Sequence, residues 1–163
     1  MSQSCLDCAQ RSDRVFCDLP PDALGEFDGI KSVQTYQRGT VLFREGQTAR
    51  AVYLLCEGRV RLSVCSENGR RMTLRTASPG EILGLSAVLA GGSYQVTAEV
   101  VNPVQAAEVR RKDLLPFLHQ HSEVCLQVVN LLSEDLHEAY DRVRTLGMAR
   151  TRHNHNHGAF QPQ

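Results

Sequence analysis

Short runs of alternating apolar and polar residues, separated by glycine, fill the chain between residues 33 and 109. In the clearest run, residues 58–65, every second side chain is apolar, as in a half-buried strand. Residues 67–69, Glu-Asn-Gly, form a hairpin-turn signal between two such runs. Many short strands joined by glycine turns are typical of an antiparallel sandwich or barrel. The predicted strands cover residues 40–43, 51–55, 58–64, 71–76, 94–101 and 104–109.

Helical spacing of apolar residues replaces the alternation on both sides of this region. Before it, Pro21 opens a short helix that carries Leu24 and Phe27 on one face. After it, Asp113 is placed to cap a second short helix, in which Pro116 is tolerated because it falls in the first turn. Strands followed by helices predict an α+β chain.

A third helical pattern is much longer. It begins at Ser122, which is placed as a cap, and reaches about Leu146, with Gly147 placed to end it. Seven residues on it follow at spacings of 4, 3, 4, 3, 4 and 3: Cys125, Val129, Leu132, Leu136, Ala139, Val143 and Leu146. Such a heptad seam predicts a parallel homodimer. A second stripe, at Val124, Val128 and Leu131, covers only the first half of this helix and is expected to face the β-domain. The alternative is that the seam is the chain's own core face.

The charge balance and the motifs of the sequence argue against several classes of function. Eighteen basic and eighteen acidic residues cancel, so the whole chain has no net field for generic binding to nucleic acid or anionic membranes. The sequence has no apolar run long enough to span a bilayer, and residues 1–14 are too polar for a signal peptide. It also contains no P-loop, HExxH or dinucleotide fingerprint. We therefore expect a cytoplasmic protein that has no membrane partner and is not an enzyme.

Two glycine-bounded segments carry a resemblance to a known family. Residues 39–46 read Gly-Thr-Val-Leu-Phe-Arg-Glu-Gly, and residues 53–62 read Tyr-Leu-Leu-Cys-Glu-Gly-Arg-Val-Arg-Leu. This pair resembles the first signature of the cyclic nucleotide-binding β-roll. The order of elements is similar to the sensor half of Crp/Fnr-type bacterial transcription regulators. The resemblance implies an α+β fold: a cyclic nucleotide-binding-like antiparallel β-roll of the jelly-roll type, with short flanking helices and a long C-terminal dimerisation helix.

The same resemblance divides the chain and suggests its function. It implies a cysteine-bearing segment at 1–20, the β-roll with its short helices at 21–121, the dimerisation helix at 122–147 and a disordered tail at 148–163. The tail is too short for a helix-turn-helix, so DNA is an expected partner only if that domain is supplied elsewhere. We expect a sensor and dimerisation domain of a regulator that answers a small-molecule or redox signal. The alternative is a stand-alone, truncated interaction module without DNA-binding output.

The resemblance also locates an effector pocket. The residues that match the family's phosphate cassette are Gly84, Leu85, Ser86, Ala87, Val96, Thr97 and Ala98. In nucleotide-binding members a glutamate stands where this chain has Leu85, and an arginine stands where it has Val96. A cyclic phosphate facing Val96 would lose its charge-assisted partner, so ordinary cyclic AMP binding is not expected. The pocket is expected to hold another small molecule or to be filled by side chains.

Three cysteines near the N-terminus are the remaining candidates for chemistry. Cys5, Cys8 and Cys17 resemble the cluster-binding cysteines of the Fnr branch, which implies an iron–sulfur cluster or zinc. The strand position expected for a fourth ligand is Ala107. Elsewhere in the chain Cys56, Cys65 and Cys125 are possible substitutes. A redox thiol switch and inert surface thiols are the alternatives, so the cofactor stays unknown.

Overall fold

The computed structural model describes residues 19–153, and side chains are described up to residue 147. Its elements, in chain order, are α1 Pro21–Ile30, β1 Lys31–Tyr36, β2 Val41–Phe43, β3 Ala51–Cys65, β4 Arg71–Ala77, β5 Ile82–Leu83, α2 Leu85–Ala90, β6 Thr97–Arg110, α3 Arg111–Gln120 and α4 Ser122–His153. The chain divides after Val124 into two compact units. The first unit holds all the strands, and α4 makes up nearly all that is described of the second.

One antiparallel sheet organises the first unit. Its strand order is β1-β6-β3-β4, with β2 also pairing with β6 and β5 with β3. The two long strands, β3 and β6, run side by side from the Ala51–Arg110 pair to the Ser63–Thr97 pair. Their inward side chains, among them Val52, are fully buried and form the core. The predicted antiparallel architecture with flanking helices and a long final helix is confirmed.

The number of strands, six, equals the prediction, but the residues they cover differ. Residues 51–55 and 58–64 lie in one strand, β3, and residues 104–109 continue the strand that begins at Thr97. Gly58 explains the difference, because its φ of +89° lets β3 kink as a bulge while the pairing with β6 shifts register. Glycine in a strand therefore marks a bend here rather than an end. The hairpin turn is confirmed: the Gly69 φ is +81°, and the Ser66 N–H donates to the Arg70 carbonyl.

Gly58 is also the glycine whose replacement we expect to be most damaging. A Cβ at this position would lie 2.3 Å from the Pro103 carbonyl oxygen, which belongs to the backbone of β6. We expect Gly58→Ala to lower the free energy of unfolding by about 3 kcal/mol or more, because left-handed strain and a backbone clash add. Urea denaturation followed by circular dichroism measures this loss.

The matched control is Gly39→Ala. Gly39 has nearly the same φ, +90°, but a Cβ there would meet no atom within 4 Å. Only the conformational strain remains, so we expect a loss of about 1 kcal/mol. Equal losses at the two positions would contradict a clash at Gly58.

Two predicted helix boundaries are wrong. Helix α3 begins at Arg111 rather than near Asp113, which makes no cap hydrogen bond, so Pro116 lies inside the helix and not in its first turn. Helix α4 continues through Gly147 to His153, because Gly147 does not adopt the positive φ of a C-terminal cap. The tail predicted as disordered is therefore helical over 148–153. Residues 1–18 and 154–163 lie outside the described part of the chain.

The flanking helices α1 and α3 pack through aromatic side chains. The ring centroids of Phe27 and Phe117 are 5.7 Å apart, and Leu24 and Leu114 are fully buried. The predicted apolar face of α1 is confirmed by this burial. Within residues 19–153 no helix has the length and apolar composition needed to cross a membrane.

Candidate functional site

The seven predicted effector-pocket residues lie in two segments. The first segment, Gly84 to Ala87, forms the start of α2, where Gly84 precedes the helix with a φ of +84°. Leu85 and Ala87 are buried and Ser86 is exposed. The second segment leads into β6: Val96 is half-buried, and Thr97 and Ala98 are buried.

A close approach by Tyr94 and a hydrogen bond from the Glu45 backbone connect these residues to the rest of the fold. A Cβ at Gly84 would lie 2.8 Å from Cε1 of Tyr94, so the tyrosine ring covers this glycine. The Glu45 backbone N–H donates to Thr97 Oγ1 at 3.0 Å. With leucine and valine at positions 85 and 96, the side chains at the two charged family positions are apolar. A cyclic nucleotide placed there would find no arginine for its phosphate and no glutamate for its ribose hydroxyl.

Tyr94 belongs to an aromatic group that sequence reasoning missed. Its ring stacks on Phe43 with centroids 3.9 Å apart, and Phe43 also stacks on Tyr53 at 5.9 Å. The Tyr94 hydroxyl donates to the Ala51 carbonyl at 2.5 Å and accepts from the Ala51 N–H at 3.2 Å. Burial raises the pKa of Tyr94 and of Tyr53 above the ordinary tyrosine value, so both phenols are protonated at neutral pH. The sequence contains only five Phe and four Tyr, and three of these nine residues form the group. This scarcity of aromatic residues was the signal available in the sequence.

The predicted metal ligands remain untested. Cys5, Cys8 and Cys17 lie outside the described part of the chain. The other three cysteines form no disulfide within the described part of the chain: Cys56 and Cys125 are half-buried, and Cys65 is exposed. Ala107, at the position considered for a fourth ligand, is buried in β6 opposite Leu54. Within the described residues no group of three or more His, Cys, Asp or Glu side chains is placed to hold a metal ion.

The predicted seam on α4 is largely exposed. Val129 is 56% exposed, Leu136 52%, Val143 66% and Leu146 70%. Ala139 is also exposed, while Cys125 and Leu132 are intermediate. The dimer seam stays a prediction, and so does the alternative that this face belongs to the chain's own core. The second stripe behaves differently, because Val124 and Val128 are buried.

Comparison with known proteins identifies the family. Residues 33–121, more than half of the chain, match the model of the cyclic nucleotide-binding domain. The chain belongs to this family. Transcriptional activatory protein AadR of Rhodopseudomonas palustris is similar, with 29% identity over 86% of this chain and 57% of that protein. The resemblance to Crp/Fnr-type regulators is thereby confirmed.

Solved structures agree with this assignment of the cyclic nucleotide-binding fold. The crystal structure of Thermus thermophilus catabolite activator protein matches with a TM-score of 0.74 and 26% identity, over 82% of this chain and 62% of that one. The sensor domain of the transcriptional regulator DNR from Pseudomonas aeruginosa matches with a TM-score of 0.67 and 25% identity, over 80% of this chain and 88% of that one. The chain thus spans about three fifths of AadR and of the activator protein, and nearly all of the isolated sensor domain.

Proposed function

We propose that this chain is the sensor and dimerisation module of a Crp/Fnr-type transcriptional regulator whose signal is not cyclic AMP. The observation that carries the proposal is a cyclic nucleotide-binding fold with apolar side chains at the two charged positions of its phosphate cassette, Leu85 and Val96. Similarity to transcriptional regulators, rather than to enzymes, supports a regulatory role. A regulator of transcription works beside DNA, so we place the chain in the cytoplasm.

The cost of removing water from a bound cyclic nucleotide supports the proposal that this site does not bind one. Leu85 is only 4% exposed, so a ribose hydroxyl directed at it would give up water without gaining a hydrogen bond. The Thr97 hydroxyl, which could approach a phosphate, already accepts the Glu45 N–H. Tyr94 occupies the space next to Gly84. A small molecule that suits this pocket would therefore be less polar than a cyclic nucleotide.

Self-association is supported by the unpartnered face of α4. The exposed seam residues repeat every three or four positions from Val129 to Leu146, which is the pattern that buries apolar surface between two parallel helices. A contiguous apolar patch on a chain of this size is typical of a protein interface. A homodimer through this face would place two copies of the sensor on one regulator.

A reporter fusion tests the proposed module. The chain is joined to a DNA-binding domain that represses a reporter only when dimerised. We expect repression from the unmodified fusion, because the α4 seam supplies the dimer contact. We expect Leu136→Asp to abolish repression and His137→Asp, one position off the seam, to retain it. Equal reporter output from the fusion and from the DNA-binding domain alone would contradict the dimerisation role.

The same fusion separates the two classes of signal. Repression that changes between air and anaerobic growth, and stops changing in Cys5→Ser/Cys8→Ser, would favour a thiol or cluster sensor. Repression that ignores oxygen but changes with a cell extract's small-molecule fraction would favour an effector ligand. Output that responds to neither, in a dimer, would favour the alternative of an interaction module without a sensor role.

A further inference from the structure

A concavity adjoins the aromatic group and shares Tyr94 with the surroundings of the phosphate cassette. It has a volume of about 740 Å³ and opens beside the start of α3, and none of the seven effector-pocket residues lines it. Its walls come from the loop before β3, from the last residues of β6 and from the first residues of α3. All of them belong to the first unit. This volume is within the range of natural small-molecule pockets.

The charge of this concavity differs from that of the whole chain. Four cations line it, Arg50, Arg110, Arg111 and Lys112, against a single carboxylate, Glu108. The 163-residue chain as a whole is balanced, with eighteen charges of each sign. Clustered cations in a concave surface concentrate positive potential and attract anions.

Three of the four cations have no competing partner. Arg50, Arg110 and Lys112 are exposed, and among residues 19–147 none of their side chains forms an ion pair. Arg111 is held at the wall, because its Nε donates to the Val88 carbonyl at 2.9 Å. The one carboxylate, Glu108, stands opposite Tyr53 in the pairing of β3 with β6.

The start of α3 adds to the positive potential. Arg111, the first residue of the helix, donates its N–H to the Arg50 carbonyl at 2.7 Å, which joins the loop to the helix end. The helix has no side-chain cap, and Arg110, Arg111 and Lys112 sit at its positive end, where cations are destabilising; Asp113 is the one acidic residue of this first turn. An anion at this point would relieve the repulsion and accept backbone N–H groups. The side of the concavity formed by Leu42, Tyr53 and Tyr94 offers apolar and aromatic surface.

We propose that this concavity binds a small organic phosphate, with the phosphate between Arg50, Lys112 and the first turn of α3 and the organic part against the aromatic wall. Phosphate fits better than a lone carboxylate because its several oxygens can engage two cations and a helix end at once. A compact ligand fits better than an acidic peptide because the site is a pocket with an aromatic wall. This site goes beyond the proposed effector pocket and does not depend on it.

Phenyl phosphate and inorganic phosphate are suitable probes. With the full chain, we expect saturable binding of phenyl phosphate by calorimetry, tighter than inorganic phosphate because the ring contacts the aromatic wall. Nuclear magnetic resonance should show the largest amide shifts at Gly91, Arg111 and Lys112, which line the concavity. We expect Arg50→Gln/Lys112→Gln to weaken binding of phenyl phosphate at least about tenfold, the loss typical of a charge-assisted contact.

The control removes equal charge elsewhere. Arg38 and Arg70 are exposed arginines outside the concavity, so Arg38→Gln/Arg70→Gln should leave the affinity within about twofold. Unchanged thermal melting would show that both double variants are folded. Equal weakening by the two double variants, or no saturation with either probe, would overturn the site. A hexaglutamate peptide that displaces phenyl phosphate and binds more tightly would overturn the small-molecule assignment in favour of an acidic protein partner.

Discussion

Replacing Leu136 with aspartate is expected to convert the protein from a dimer to a monomer. Leu136 lies in the middle of the α4 seam and is 52% exposed in the single chain. In a parallel dimer the two copies of this position would meet, so the variant would bury two like charges without partners. We expect the dimer dissociation constant to rise at least about 100-fold, which corresponds to about 2.7 kcal/mol.

Sedimentation equilibrium over a range of concentrations measures this change. His137→Asp is the matched control, since it adds the same side chain one residue further on, at an exposed position off the seam. It should dimerise like the unmodified chain. The proposal fails if the unmodified protein is monomeric at about 50 μM, a concentration at which a specific dimer would be populated.

Cyclic AMP and cyclic GMP are expected to give no binding heat with the unmodified protein at about 100 μM, a concentration that reveals micromolar affinity. The physical reason is the pair of apolar side chains at positions 85 and 96. Leu85→Glu/Val96→Arg restores both charges, and the new carboxylate would lie in the first turn of α2, where negative charge is favoured. We expect this double variant to bind cyclic AMP at least about tenfold more tightly than the unmodified chain.

Two exposed residues provide the control for this experiment. Ala90→Glu/Gln95→Arg adds the same two side chains at exposed positions outside the seven cassette residues, so it should not gain affinity. Circular dichroism establishes that each variant is folded. Micromolar binding by the unmodified protein would show that backbone amides and Thr97 suffice. A folded Leu85→Glu/Val96→Arg protein that binds cyclic AMP no better than its control would show that the missing charges are not what prevents binding.

The sequence alone was sufficient for features that depend on near neighbours. The α1 helix follows from Pro21 and from the spacing of Leu24 and Phe27, and the hairpin turn follows from Gly69. The β-strand pattern and the glycine-bounded segments led to the family. The exposed seam on α4 also follows from spacing, because a heptad pattern is a property of one helix. Each of these features depends on residues that are close together in the sequence.

Helix and strand ends required the tertiary structure. Gly58 and Gly147 are both glycines within regular elements, yet Gly58 bends β3 at a positive φ and Gly147 continues a helix. Their roles differ because Gly58 lies against the Pro103 carbonyl of the paired strand, whereas Gly147 has no atom near its Cβ position. Residue type alone does not distinguish these environments. The start of α3 at Arg111 similarly depends on its hydrogen bond to Arg50.

The phosphate cassette and the cationic concavity also differ in how far the sequence could predict them. The seven cassette residues could be located by family pattern, and their role as an effector pocket stays a prediction. The aromatic group and the cationic concavity could not be found in the sequence, because they join residues far apart along the chain, such as Phe43 with Tyr94 and Arg50 with Lys112. The pairing of β3 with β6 brings Arg50 close to the start of α3, and the pairing of β2 with β6 brings Phe43 close to Tyr94. Local pattern determined which elements form, and long-range strand pairing decided which side chains meet.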